Sequence, residues 1–141
     1  MNGARMIEHE IELSIPFHDV DLMQVTWHGH YVRYLEVARS ALLDKIGYGY
    51  KAMMASGYAW PVIDMHIRYP RSCSFGDRIR VRARIVESEL RLKIDYLITM
   101  AETGERLTKA STVQVAVNMD NGEMCYPTPA ELQDRIRVAA A

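Results

Sequence analysis

FHDVDLMQVTWHGHYVRYLEVAR, residues 17–39, puts His18, Asp19, Asp21, Trp27, His28 and His30 ahead of a pattern that turns helical. A carboxylate there can attack an electrophilic carbon or take a proton from water. An imidazole can orient the reacting group or protonate the one that leaves. A helix starting just behind them adds unsatisfied backbone N–H groups and a positive dipole end, both suited to developing negative charge. The same residues, strung as H-D-x-D-x(6)-H-x-H, are also donor types that a divalent metal accepts. Carboxylate chemistry and metal chemistry are both open at this point.

The elements that must position these groups follow from periodicity. In residues 5–15, Ile7, Ile11, Leu13 and Ile15 alternate with Glu8, Glu10 and Glu12, the period of a half-buried strand that Pro16 ends. From His30 the spacing of Leu35, Ala38, Leu42 and Ile46 predicts a helix of about four turns, stopped by Gly47 and Gly49. A short turn is expected over 51–56 and a strand over 59–69. Residues 77–86 alternate without a fault: Arg78, Arg80, Arg82 and Arg84 on one face, Ile79, Val81, Ala83 and Ile85 on the other. Alternation resumes from Leu92 to Met100, a further strand runs from about Leu107 to Met119, and the C-terminus reads as a tail with a short helical end.

One helix among strands with short connections excludes repeated parallel crossovers, each of which needs a helix. The expected architecture is α+β: an antiparallel sheet of about five strands wrapped around one long central helix, in a single domain over 1–141. The 141 residues, 49% hydrophobic and 25% charged, are enough for one real core. Seventeen basic against eighteen acidic side chains leave no overall footprint for nucleic acid or an anionic membrane. Cys73 and Cys125 are read as free thiols in a reducing cytoplasm, with no leader or transmembrane run expected.

The string D-x-D-x(6)-H-x-x-Y-x-x-Y-L-E-x-A-R, from Asp19 to Arg39, resembles the signature of the 4-hydroxybenzoyl-CoA thioesterase family and its acyl-CoA thioesterase relatives. The later IRYPRSCSFGD, residues 67–77, is similar to that family too, and the likeness extends over nearly the whole chain. The resemblance implies the hotdog fold and hydrolysis of an acyl-CoA or acyl-carrier-protein thioester. It implies no metal or redox cofactor, and a homodimer or homotetramer. Two departures fall near the expected acyl pocket. Met23-Gln24-Val25 has no glycine where the family often has one, and Gly29-His30 replaces the usual small or Asn pair.

Carried over residue by residue, the resemblance assigns the catalytic carboxylate, nucleophile or base, to Asp21. His28 falls at a position that holds the carbonyl, orients water or protonates the leaving thiolate. Trp27, Gly29, His30 and Tyr31 stand on the substrate side, with Trp27, His30 and Tyr31 as wall or framework rather than chemistry. Asp19 is the competing carboxylate; in an extended segment it would point the same way as Asp21. A related branch uses a helical glutamate as base, but Glu36 lies three residues from both Arg33 and Arg39, and an intrahelical ion pair is the preferred reading. Asp64, His66 and Tyr69 are expected beside the pocket without a catalytic role.

The arginine face should lie opposite Glu8, Glu10 and Glu12, with Arg84, Arg91 and Lys93 beyond the glutamates as a basic cluster for CoA phosphates or an acidic carrier protein. The strand over 59–69 is the candidate free edge for pairing with a second subunit. The alternatives are a non-catalytic acyl-thioester binding or regulatory protein and a metal-dependent hydrolase. A dehydratase of the same fold is disfavoured, because that branch pairs its histidine with a helical glutamate in a different motif.

Overall fold

The period-two alternation at the N-terminus forms strand β1, Ile7–Ser14, and Pro16 closes it into a short 3-10 turn, Phe17–Asp19. The computed structural model describes residues 7–21, 23, 25–26 and 29–141. Helix α1, His30–Lys45, follows, and then α2, Tyr50–Ala55. Strands β2 (Tyr58–Ala59), β3 (Val62–Arg68), β4 (Arg78–Glu87), β5 (Leu92–Met100), β6 (Arg106–Gln114), β7 (Ala116–Asn118) and β8 (Met124–Cys125) come next, and α3, Ala130–Ala140, ends the chain.

Helix α1 is amphipathic: Tyr31, Tyr34, Leu35, Ala38, Leu42 and Leu43 are buried at helical spacing. Its C-terminus shows why the sequence needs Gly47. The amide of Gly47 bonds to the Asp44 carbonyl and that of Tyr48 to Leu43, and this closing pattern requires a positive φ at the residue between, +78° at Gly47. The helix lies on β1 and β4, whose inward residues Ile79, Val81 and Ala83 are fully buried. Complete burial of a side chain such as Leu35 contributes about 1.5–3 kcal/mol.

The main sheet has five strands in the order β1-β4-β5-β6-β3, every neighbouring pair antiparallel. This is the expected hotdog arrangement, and β3 is one of its two edges. The expected strand over 59–69 is split, because Pro61 has no N–H to continue a ladder. Tyr58–Ala59 turn away to pair with β7, while Val62–Arg68 pair with β6. The strand expected over 107–119 breaks near Val115, whose amide bonds to the Pro61 carbonyl, so the two breaks meet. The freed ends build a second sheet, β2-β7-β8.

The C-terminal helix is longer than a tail's short helical end. It spans eleven residues, seats Leu132 in the core, and is tied down where the Thr128 hydroxyl donates to the Ser88 carbonyl at 2.5 Å. Among the described residues no helix is long and apolar enough to cross a membrane.

Candidate active site

The segment between β1 and α1 is held at its base by two backbone bonds, Ile15 N–H to the Asp77 carbonyl and Gly76 N–H to the Ile15 carbonyl. From there the 3-10 turn, closed by Asp19 N–H to Pro16, carries Asp19 inward until it is 1% exposed. Its Oδ2 accepts the Tyr34 hydroxyl at 2.5 Å and the Arg33 guanidinium. Its Oδ1 has no hydrogen-bond partner among the described residues, and His18 Nε2 and His30 Nδ1 stand 3.5 and 3.9 Å from it. Burial, and then the hydrogen bond to Asp19, push the Tyr34 hydroxyl well above the usual phenol range.

One residue later the backbone changes state. Val20 is extended, with φ −97° and ψ 150°, and pairs with Thr26 across a tight reversal. Asp21 comes out exposed, its own N–H bonded to the Val25 carbonyl and its Oδ1 accepting the Met23 N–H at 2.8 Å. The two carboxylates therefore do not point the same way. The expectation assumed an extended segment, and the 3-10 turn ending at Asp19 replaces it.

Behind this reversal lies a buried frame. Thr26 N–H bonds to the Cys73 carbonyl at 2.8 Å, and Cys73 Sγ lies 3.5 Å from the Thr26 hydroxyl. The Tyr31 hydroxyl is 3.4 Å from Cys73 Sγ and accepts the Cys73 N–H at 3.4 Å. Burial first, and the contact with Cys73 second, raise the Tyr31 hydroxyl above its ordinary range. The Tyr31 ring stacks on Tyr69 at 5.3 Å and meets Tyr34 edge-on at 5.8 Å. Tyr31, expected on the substrate side as wall or framework, is thus packed into the core, joining α1 to the chain around Cys73. In front of the frame, Phe17 and Phe75 meet edge-on at 5.6 Å and remain exposed, as does Met23.

Gly29 caps α1 without a side-chain hydrogen bond, and the first turn holds no acid. His30 opens the helix with a quarter of its side chain exposed. Trp27 and His28 lie outside the described residues. Among those described, no group of three or more His, Cys, Asp or Glu side chains is arranged to hold a metal ion. Glu36 is exposed and paired with Arg39 at 3.6 Å, as its spacing suggested.

The remaining expected residues separate. Tyr69 reaches the frame through Tyr31, whereas Asp64 and His66 are exposed on the opposite face of the sheet, 3.5 Å from each other. The glutamate–arginine register is as expected, with Glu8, Glu10 and Glu12 opposite Arg84, Arg82 and Arg80. The basic cluster at the far end is not free of acids. Glu8 reaches Arg84 at 3.6 Å, Glu87 pairs with Arg91 at 3.1 Å, and Lys93 faces Glu87 across the hairpin. Sequence reasoning overlooked a cleft of about 470 Å³ on this outer face, lined in part by Arg68, Arg82, Arg106 and Lys109. The signal was there in Arg68 at the end of β3 and in the basic residues of β6, once the two strands are placed side by side.

Comparison with known proteins supplies the family. Residues 15–139 match the thioesterase-like superfamily. The acyl-acyl carrier protein thioesterase ATL3 of Arabidopsis thaliana is 26% identical over 135 residues, covering 94% of this chain and 70% of that protein. Among solved structures, the DHNA-CoA thioesterase from Staphylococcus aureus superposes with a TM-score of 0.78 at 30% identity, covering 86% of this chain and 81% of that one. Slr0204, a 1,4-dihydroxy-2-naphthoyl-CoA thioesterase from Synechocystis, shares the fold with a TM-score of 0.82 at 23% identity, over 92% of this chain and 96% of that one. The sheet around α1, the match over residues 15–139 and these relatives agree: the chain belongs to the thioesterase-like superfamily and is a thioesterase of the hotdog fold.

Proposed function

We propose that the chain hydrolyses an acyl thioester of CoA or of an acyl carrier protein to a carboxylic acid and a free thiol, with Asp21 as the reacting carboxylate. The observation that carries this reading is the opposite fate of two neighbouring acids. Asp19 is enclosed and bonded to Arg33 and Tyr34, while Asp21 is exposed, with Oδ2 unpartnered among the described residues. Of these two acids, Asp21 is the one open to a substrate. It attacks the thioester carbonyl and expels the thiolate, leaving an acyl anhydride that water then hydrolyses, or it takes a proton from the water that attacks; on both routes the C–S bond breaks and the thiolate gains a proton.

The N-cap of α1 is Gly29 and its first turn carries no acid, which supports use of the amides of that turn as donors to the oxyanion. His28 orients the carbonyl or protonates the thiolate. Trp27 and Gly29 are assigned to acyl contact, Tyr31 holds the frame, and His30 stands beside Asp19 at the start of α1. Arg91 and Lys93 meet the carrier's phosphates or acidic surface, with Glu87 tempering their charge. The free β3 edge and the exposed Phe17, Met23 and Phe75 support a homodimer or homotetramer that covers the site.

A panel of aromatic and aliphatic acyl-CoA and acyl-carrier-protein thioesters, followed by thiol release, tests the reading. Turnover of at least one class, unchanged after exhaustive chelation, is expected. No release from any thioester would leave a binding protein, and loss on chelation with recovery on adding zinc or manganese would establish the metal-dependent alternative.

A further inference from the structure

The outer face of the main sheet is built in two unlike halves. Along β1 and β4 three of the four β4 arginines meet an acid: Glu12 lies 3.6 Å from both Arg78 and Arg80, and Glu8 is 3.6 Å from Arg84. Toward β3 this pattern fails. Lys109 on β6 stands directly opposite Arg68 on β3, and like charges in that position destabilise a sheet. On its other side Lys109 faces Leu97, which in turn faces Arg82. Arg106 lies nearby on β6, opposite Thr99. None of Arg68, Arg82, Arg106 or Lys109 makes an ion pair with a described acid, although Arg82 stands opposite Glu10. The one acid lining the cleft is Asp95.

The geometry points to a binding site for a nucleotide phosphate in this cleft. Four cations that pair with no described acid, two of them set face to face, are what an added polyanion would relieve. The row Arg82–Leu97–Lys109–Arg68 crosses three strand spacings, roughly 14 Å, the span of a nucleotide rather than of a single phosphate. Leu97, half-buried at the centre, offers an apolar seat for a base, and the volume of about 470 Å³ is that of a small-molecule site. The inward face of β4 packs on α1, and the inward residues Ile94, Tyr96 and Ile98 of β5 and Leu107 of β6 are buried in the core, so the sheet separates this cleft from Asp21 and the proposed thioester site.

Titration of the full chain with ATP, with 3′,5′-ADP and with inorganic pyrophosphate, by calorimetry at low salt, tests the site without reference to thioester turnover. Both nucleotides should bind and raise Tm, and Lys109→Glu should weaken them at least tenfold. Because Lys109→Glu replaces a like-charge pair by an opposite one beside Arg68, the anion-free variant should melt no lower than wild type. Arg68→Ser with Arg106→Ser should lose binding in the same way. Unchanged affinity in these variants, no nucleotide binding at millimolar concentration, or a lower Tm for anion-free Lys109→Glu would overturn the proposal. So would pyrophosphate binding as tightly as the nucleotides, or a self-associated species in sedimentation that Lys109→Glu abolishes with no nucleotide present.

Discussion

Asp19 and Asp21 are the same residue type two positions apart, yet one is held by the protein and the other is offered to solvent. The 3-10 turn aims Asp19 at α1, where Tyr34 and Arg33 bond it, so this acid joins the loop to the helix. The reversal from Val20 to Thr26 aims Asp21 outward, with a single backbone N–H steadying one carboxylate oxygen. A buried acid bonded on one side is a structural tie. An exposed, lightly held acid is available for chemistry. Residue type does not separate the two roles; one change of backbone state does.

The largest effect that would break this comparison is on turnover. On the proposed reading, Asp21→Asn lowers kcat by a factor on the order of 10² or more, while Tm stays close to wild type because an exposed side chain has changed. Activity within a few-fold of wild type would return the catalytic role to another group. Asp19→Ala should do the reverse first: it leaves the buried Tyr34 hydroxyl unpaired and releases Arg33, at a cost of about 2–4 kcal/mol in denaturant unfolding. A loss below about 0.5 kcal/mol would show that Asp19 is no tie.

Tyr34→Phe sharpens the same contrast, since it removes one donor and keeps the ring against Tyr31. The expected loss is about 1 kcal/mol, read from the shift in unfolding midpoint, with kcat within about twofold. The smallest effect belongs to the third acid of the region. Glu36→Gln gives up a 3.6 Å pair between an exposed acid and the mostly enclosed Arg39 but keeps an amide oxygen that can accept from the guanidinium, and should cost less than about 1 kcal/mol. Its kcat should match wild type, and a large drop would move the base from the loop onto α1.

Period alone determined much of this protein. The alternation of β1 and β4, the helical spacing of α1 and the glycines after it were legible because they depend on neighbours within one or two turns or along one strand. So was the opposition of Glu8, Glu10 and Glu12 to the arginines, since the hotdog resemblance set the strand order and the alternation set the faces. The motif also singled out Asp21 as the acid to watch. What only the tertiary structure decided is how distant segments share space. Pro61 and Val115 break their strands together because each end has a better partner in the second sheet. Leu132 extends α3 because the core has a place for it. Arg84 and Arg91 are neutralised by acids that the fold brings within reach, while Lys109 and Arg68, forty-one positions apart in the chain, are set face to face. Local spacing carries the conformation of a segment; charge balance and burial depend on which segments become neighbours, and that is a property of the folded sheet.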